Sequence, residues 1–248
     1  GRRPLKAEVA GSNPVGATKK LIGLPLGSPF SCWRCAVEFL IVCPLALIAG
    51  LVDAVAGGGG LISLPAYFFA GLPPHAAIAT NKLSSTMGTT VATIRYVLFG
   101  YMVKRFVRIG VVCGLAGSTV GANLALVADS FALMVFMLAS LPFVAWMVFR
   151  TRDLNRFAEH PLPPRRALVF TGVIALAVGI YDGFYGPGTG TILMLLLTAV
   201  AHQGIREAAG TTKAINLSTN VAALVVFLVN GEVLVGLGLA AGAFNIIG

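Results

Sequence analysis

Four stretches of this chain run for about twenty residues each without a charged side chain. They cover residues 109–128, 130–149, 183–205 and 214–231. A helix needs roughly 20 apolar residues to cross the hydrocarbon core of a bilayer. No water is available there, so every backbone N–H and C=O must be satisfied within its own segment, which makes the segments helices rather than open strands. Composition closes the soluble alternative. Hydrophobic residues make up 57% of the chain and charged residues 11%, too little charge to cover the surface of a soluble domain of this length. The expected fold class is all-α, a polytopic helical membrane protein.

The formal charge of +9 divides unevenly. Residues 1–35 carry six Lys or Arg and one acid. The rest carry twelve and eight, the ordinary excess of basic residues in cytoplasmic loops. Nothing here calls for a nucleic-acid partner. Cys32-x-x-Cys35 has redox or metal spacing, but no second pair and no nearby His completes a site. No metal and no cofactor is expected.

Residues 1–35 form a Pro- and Gly-broken, basic extension whose default is disorder, foreign to the membrane part. A first membrane repeat is expected over 36–149. Within it, segments run over 36–56, over a short piece 60–70, over 77–99, over 109–128 and over 130–149. Eleven residues cannot span the bilayer, so 60–70 reads as a half-helix. The turn Pro73-Pro74-His75 separates it from the next segment, and Lys104, Arg105 and Arg108 read as a basic loop. The segment 109–128 carries Gly110, Gly114, Gly117 and Gly121, a stripe suited to close helix packing. A basic linker, 150–166, is expected in the cytoplasm. A second repeat, 167–248, has the same order of elements but no counterpart of the fifth segment, which predicts a truncated repeat. The loop near Glu232 lacks the Lys and Arg of its counterpart, a charge bias that points to inverted repeats.

The polar centre is doubled as well. Asp53 precedes Gly57, Gly58, Gly59 and Gly60; a half-helix comes next, then Thr80, Asn81 and Lys82. Asp182 precedes Gly186, Gly188 and Gly190; a half-helix comes next, then Thr211, Thr212 and Lys213. Each glycine costs a helix about 1 kcal/mol relative to alanine, so these clusters interrupt it. Broken backbone survives in a membrane only where protein buries it or it lines a wet cavity. The N–H groups opening the next half-helix, with its dipole, then make an anion site.

Lysines in apolar segments are functional candidates by default. The competing reading is snorkelling, since both lie near an expected helix start. Polar stripes continue from each lysine: Thr86, Thr89 and Thr93 after Lys82, Asn216 and Asn220 after Lys213. Such stripes face protein or water, so a central cavity is expected. Asp53 and Asp182 could pair with the lysines, cap backbone donors or exchange protons, and the sequence leaves all three open. His75 and His202 read as loop residues, and Arg95 as a side chain that snorkels toward the basic loop. No catalytic set appears, so an enzyme is not expected.

DAVAGGGGLISLPAYFFAGLPPHAAIATNKLSS closely resembles the signature of the TauE/SafE membrane proteins, the sulfite exporter or toluenesulfonate-uptake permease family. YDGFYGPGTGTI and AAGTTKAINLSTN resemble that family's second repeat, and the likeness extends over residues 40–248. The resemblance implies a polytopic permease moving small sulfur-containing oxyanions such as sulfite or organosulfonates. Read together with the doubled polar centre, it gives a secondary transporter in a bacterial-type inner membrane, with protons as the coupling ion if Asp53 or Asp182 exchanges them. The anion would sit on the glycines of the two clusters with Thr80, Asn81, Lys82, Thr211, Thr212, Lys213 and Asn216. An anion channel-like pore and a packing-only membrane scaffold are the alternatives. Oligomeric state is left open.

Overall fold

The computed structural model describes residues 29–136, 138, 139, 142 and 162–248. The chain divides into two units, Gly1–Val37 and Glu38–Gly248. In the first, only the helical stretch from Pro29 is described; the cavities and ion pairs lie in the second. The expectations placed on residues 1–28, and on the linker up to residue 161, lie outside the described residues. So do the side chains of Cys32 and Cys35.

Among the described residues, eight helices occur in this order: α1 Pro29–Ala56, α2 Gly60–Phe69, α3 Pro74–Leu98, α4 Lys104–Val127, α5 Pro164–Phe184, α6 Thr189–Ala199, α7 Ile205–Val229 and α8 Val235–Ile247. Residues 130–136 are helical too, and no strand occurs among the described residues. Four helices are long and apolar enough to cross a membrane, namely Val37–Ala54 within α1, then α4, α5 and α7. The chain is an integral membrane protein. Its polarity is the reverse of a soluble domain's. Leu40, Phe69, Val127 and Val229 are 76–82% exposed, whereas Thr80, Lys82, Thr211 and Asn220 are buried. Lipid accepts the first set; only protein or a wet cavity accepts the second.

Several boundaries differ from expectation. α3 begins at Pro74 rather than at 77, because a proline at the first helical position has no N–H to lose and is already bent for the helix. His75 is therefore a helical residue, not a loop residue. Its Nε2 lies 3.1 Å from the carbonyl of Ala125 and 3.2 Å from that of Ala128, at the end of α4. His202 does lie between helices, with φ of 51°. α7 begins at Ile205 instead of 211. Lys104, Arg105 and Arg108 belong to the first turns of α4 and not to a loop. α1 starts earlier than expected, at Pro29.

Packing is closest where glycines remove side chains. A Cβ on Gly117 or Gly121 of α4 would strike the carbonyl of Leu176 or Ile180, and one on Gly183 of α5 would strike that of Ser118. Gly179 sits 2.8 Å from the Gly114 carbonyl by the same measure. The α4 glycine stripe is thus divided: Gly117 and Gly121 lie against α5, which runs parallel to α4, whereas Gly110 and Gly114 lie against Ile215 of α7. Ser118 adds a hydrogen bond to the Thr219 carbonyl, tying α4 to α7. Helices α3 and α7 run antiparallel. Thr93 Oγ1 donates to the Lys213 carbonyl at 3.1 Å, and the Leu234 N–H beyond α7 donates to Thr80 Oγ1 at 3.1 Å.

Candidate functional site

Both helix interruptions exist, and each has a local cause. Gly57 takes φ of +70°, Gly186 +100° and Gly188 +76°, conformations that L side chains rarely adopt. α1 stops at Ala56 and α2 restarts at Gly60; α5 stops at Phe184 and α6 restarts at Thr189. α2 has 10 residues and α6 has 11, each about half the span of the hydrocarbon core.

The two interruptions lie against each other. A Cβ on Gly190 would collide with the Gly57 carbonyl, and one on Gly57 would come within 2.9 Å of the Gly190 carbonyl carbon. Gly60 faces Pro187 at 3.1 Å by the same measure. Gly58 is different, with its nearest neighbours at 3.5 Å and 3.6 Å and no left-handed backbone, so neither close contact nor conformation demands a glycine there. Tyr181 braces the second interruption by donating its hydroxyl to the Pro187 carbonyl at 2.6 Å.

Between them lies a polar cavity of about 30 Å³. The interruptions contribute Gly57, Gly59, Gly60, Gly186, Gly188, Thr189 and Gly190. α3 contributes Asn81, Lys82, Ser85 and Thr89; α7 contributes Asn216 and Asn220; Asp53, Asp182 and Asn245 complete the wall. Several of the opening N–H groups are taken by glycine carbonyls of the interruptions, Leu61 by Gly58, Ile62 by Gly59, Thr189 by Gly186 and Ile192 by Gly188, while both helices turn the positive ends of their dipoles to this space.

Lys82 is 2% exposed, as is Asp182, with 2.9 Å between Nζ and Oδ2. Its Nζ also donates to Asn220 Oδ1 at 3.1 Å. It lies well inside α3, which the early helix start explains, and it does not snorkel. Thr189 Oγ1 donates to Asp182 Oδ1 at 2.7 Å. Lys213 holds Asp53 in the same way, donating to Oδ2 and to the backbone carbonyl at 2.8 Å each. Each ion pair joins one half of the chain to the other. Of the three roles open for the aspartates, pairing is the one the geometry displays. No side chain caps α2 or α6.

Not all the residues expected at the site reach the cavity. Thr80, Thr211, Thr212, Lys213 and Gly58 do not line it. Thr80 accepts the Leu234 N–H instead, and Thr211 and Thr212 are buried with hydroxyls that find no partner. Lys213 opens on a neighbouring cavity of about 340 Å³, shared with Asp53, Arg95, Tyr101 and Asn245. Arg95 is exposed there. Of the α3 stripe, Thr89 lines the central cavity, while Thr86 turns back to the Lys82 carbonyl. Three lining residues went unread: Ser85, Thr189 and Asn245. Ser85 stands one helical turn after Lys82, and Thr189 stands among the glycines already singled out. Asn245 offered a fainter signal, a lone amide in an apolar, glycine-rich helix. No group of His, Cys, Asp and Glu able to hold a metal occurs among the described residues.

The chain is similar to proteins described as transporters and not as enzymes. The family model described as "Sulfite exporter TauE/SafE" matches residues 42–248. A probable membrane transporter protein of Sinorhizobium is 34% identical over 86% of this chain and 80% of its own. One from Haemophilus influenzae is 30% identical over 82% and 79%. "Sulfite exporter TauE/SafE family protein 3" of Arabidopsis thaliana is 27% identical over 44% of this chain and 24% of its own. No solved structure matches. A membrane-embedded, helix-broken chain that this family model covers almost throughout its described part belongs to the TauE/SafE family of membrane transporters.

Proposed function

We propose that this protein is a permease for small sulfur-containing oxyanions, sulfite or a compact organosulfonate, bound between the two helix interruptions in a bacterial-type inner membrane. The observation that carries this reading is Lys82, an ammonium group 2% exposed on the wall of a polar cavity faced by two helix N-termini. The arrangement suits negative charge because amide donors and helix dipoles favour anions. Gly57, Gly59, Gly60, Gly186, Gly188 and Gly190 would let an oxyanion approach the backbone. Asn81 and Asn216 would donate their amide N–H groups to its oxygens.

Size narrows the substrate class. A cavity of about 30 Å³ holds on the order of two waters. A compact oxyanion suits it far better than an aryl sulfonate, which would require the helices to part. Charge narrows the mechanism, since each lysine already has an aspartate beside it. A bare carboxylate about 5 Å from a bound anion would cost roughly 3 kcal/mol at an effective dielectric of 20. Binding therefore asks for a change at one aspartate, which suits a transporter that couples the anion to a proton better than a passive pore.

A second reading, a scaffold held by glycine packing alone, takes support from the contact of Gly57 with Gly190. Flux of radiolabelled sulfite into proteoliposomes separates the two. Lys82→Ala is expected to lower flux at least tenfold and Lys213→Ala to lower it less. Undiminished flux in both would remove the anion site from this cavity.

A further inference from the structure

The two ion pairs are not equivalent. Lys82 and Asp182 are both 2% exposed, and Asp182 is held a second time by the Thr189 hydroxyl. Lys213 and Asp53 are 5% and 18% exposed. Asp53 lines the central cavity and also the larger neighbouring one of about 340 Å³. It is the one acidic side chain, among the described residues, that lines both.

Charge accounting then singles it out. At rest each lysine balances one aspartate, so the centre is neutral. An arriving monoanion adds one negative charge in a space that holds little water, and Asp53 faces it directly. One proton on the Asp53 carboxylate cancels that charge and removes the negative group that lines the central cavity beside the anion. The wider cavity gives water a path to Asp53, whereas Asp182 does not line it. We infer that Asp53 is the proton-accepting carboxylate of this transporter, taking up one proton for each anion that binds in the central cavity. The step is carboxylate plus proton to carboxylic acid, with the proton drawn from water in the wider cavity. Anion and proton then move together as a neutral load.

The charged and titratable groups facing Asp53 come from every neighbouring element. They are Lys213 of α7, Lys82 and Arg95 of α3 with Tyr96, Asp182 of α5 across the central cavity, and Tyr101 after α3. Arg95 has no acidic partner among the described residues.

The inference rests on the anion-site reading, and one experiment distinguishes their failures. Methanesulfonate, whose charge does not titrate, is bound to the solubilised full chain by calorimetry in two buffers of different ionisation enthalpy. The wild-type protein is expected to take up about one proton per anion, with Kd weakening up to tenfold per pH unit as pH rises. Asp53→Asn should take up none and show a Kd independent of pH, while Asp53→Glu restores the uptake. Should Asp53→Asn fail to fold, the double variant Asp53→Asn with Lys213→Gln, which removes both charges, serves in its place. Binding without proton uptake in the wild type, or uptake that persists without Asp53, overturns the inference. No binding by the wild type overturns the anion site itself.

Discussion

At the scale of the residue, Lys82 concentrates the problem this chain solves. An ammonium group inside a membrane protein is tolerated only with a partner, and breaking a buried pair from one side costs about 3–5 kcal/mol. Asp182→Asn is therefore expected to destabilise the protein strongly, read as a drop in thermal unfolding temperature in detergent. Removing both charges with Lys82→Met and Asp182→Asn should recover most of that loss while leaving transport abolished. The Lys213 pair includes an aspartate 18% exposed, so Lys213→Met should cost clearly less than Asp182→Asn. Equal losses at both pairs would contradict the ranking of burial. The sequence made both lysines visible as charges in apolar segments, but not which carboxylate each would meet. Asp53 precedes its own half's Lys82 yet pairs with Lys213, because the partner is chosen where the two halves meet.

At the scale of the element, the interruptions were legible because four consecutive glycines cannot continue a helix cheaply. Their mutual contact was not legible, since it joins residues far apart in the chain. That contact makes Gly190 the place to test the packing role, with Gly58 as the comparison. A Cβ at Gly58 meets only ordinary neighbours, whereas one at Gly190 meets the Gly57 backbone, which cannot turn aside. Gly190→Ala is expected to destabilise by about 1–3 kcal/mol or more, and Gly58→Ala by no more than about 1 kcal/mol. Urea or thermal unfolding of the two variants checks this; a Gly58→Ala protein as damaged as Gly190→Ala would mean the interruptions pack differently. Helix starts were read late at α3 and α7 for a related reason. Pro74 looked like the end of a turn and is the first residue of a helix, which carried His75 into α3 and sank Lys82 deeper than its position suggested. Asn245 stands out within α8 only as a lone amide; its meaning comes from Gly50 and Gly88, against which it packs.

At the scale of the whole membrane unit, the question is how the two halves are related. α3 and α7 are the lysine helices of their halves, and they run antiparallel. Thr80 lies beside Leu234, Lys82 beside Asn220 and Thr93 beside Lys213, while a Cβ on Gly210 would meet the Tyr101 carbonyl. Other contacts recur between the halves: Gly179 meets Gly114 as Gly50 meets Asn245, and Gly117 meets Leu176 as Gly248 meets Leu47. These pairs are what an inverted repeat would produce, and they favour one whose exchange axis passes near the central cavity. The prediction is topological. Phe99 closes α3 and Asn230 closes α7, both exposed and both with ordinary backbone angles. With the four native cysteines replaced by serine, Phe99→Cys and Asn230→Cys should react with a membrane-impermeant maleimide from opposite faces. Lys104, Arg105 and Arg108 come soon after Phe99, so that cysteine is expected on the cytoplasmic side, labelled only in inverted vesicles, with Asn230→Cys labelled in intact cells. Labelling of both from one face would rule out inversion, and with it any alternating-access cycle in which the halves exchange roles around the lysines.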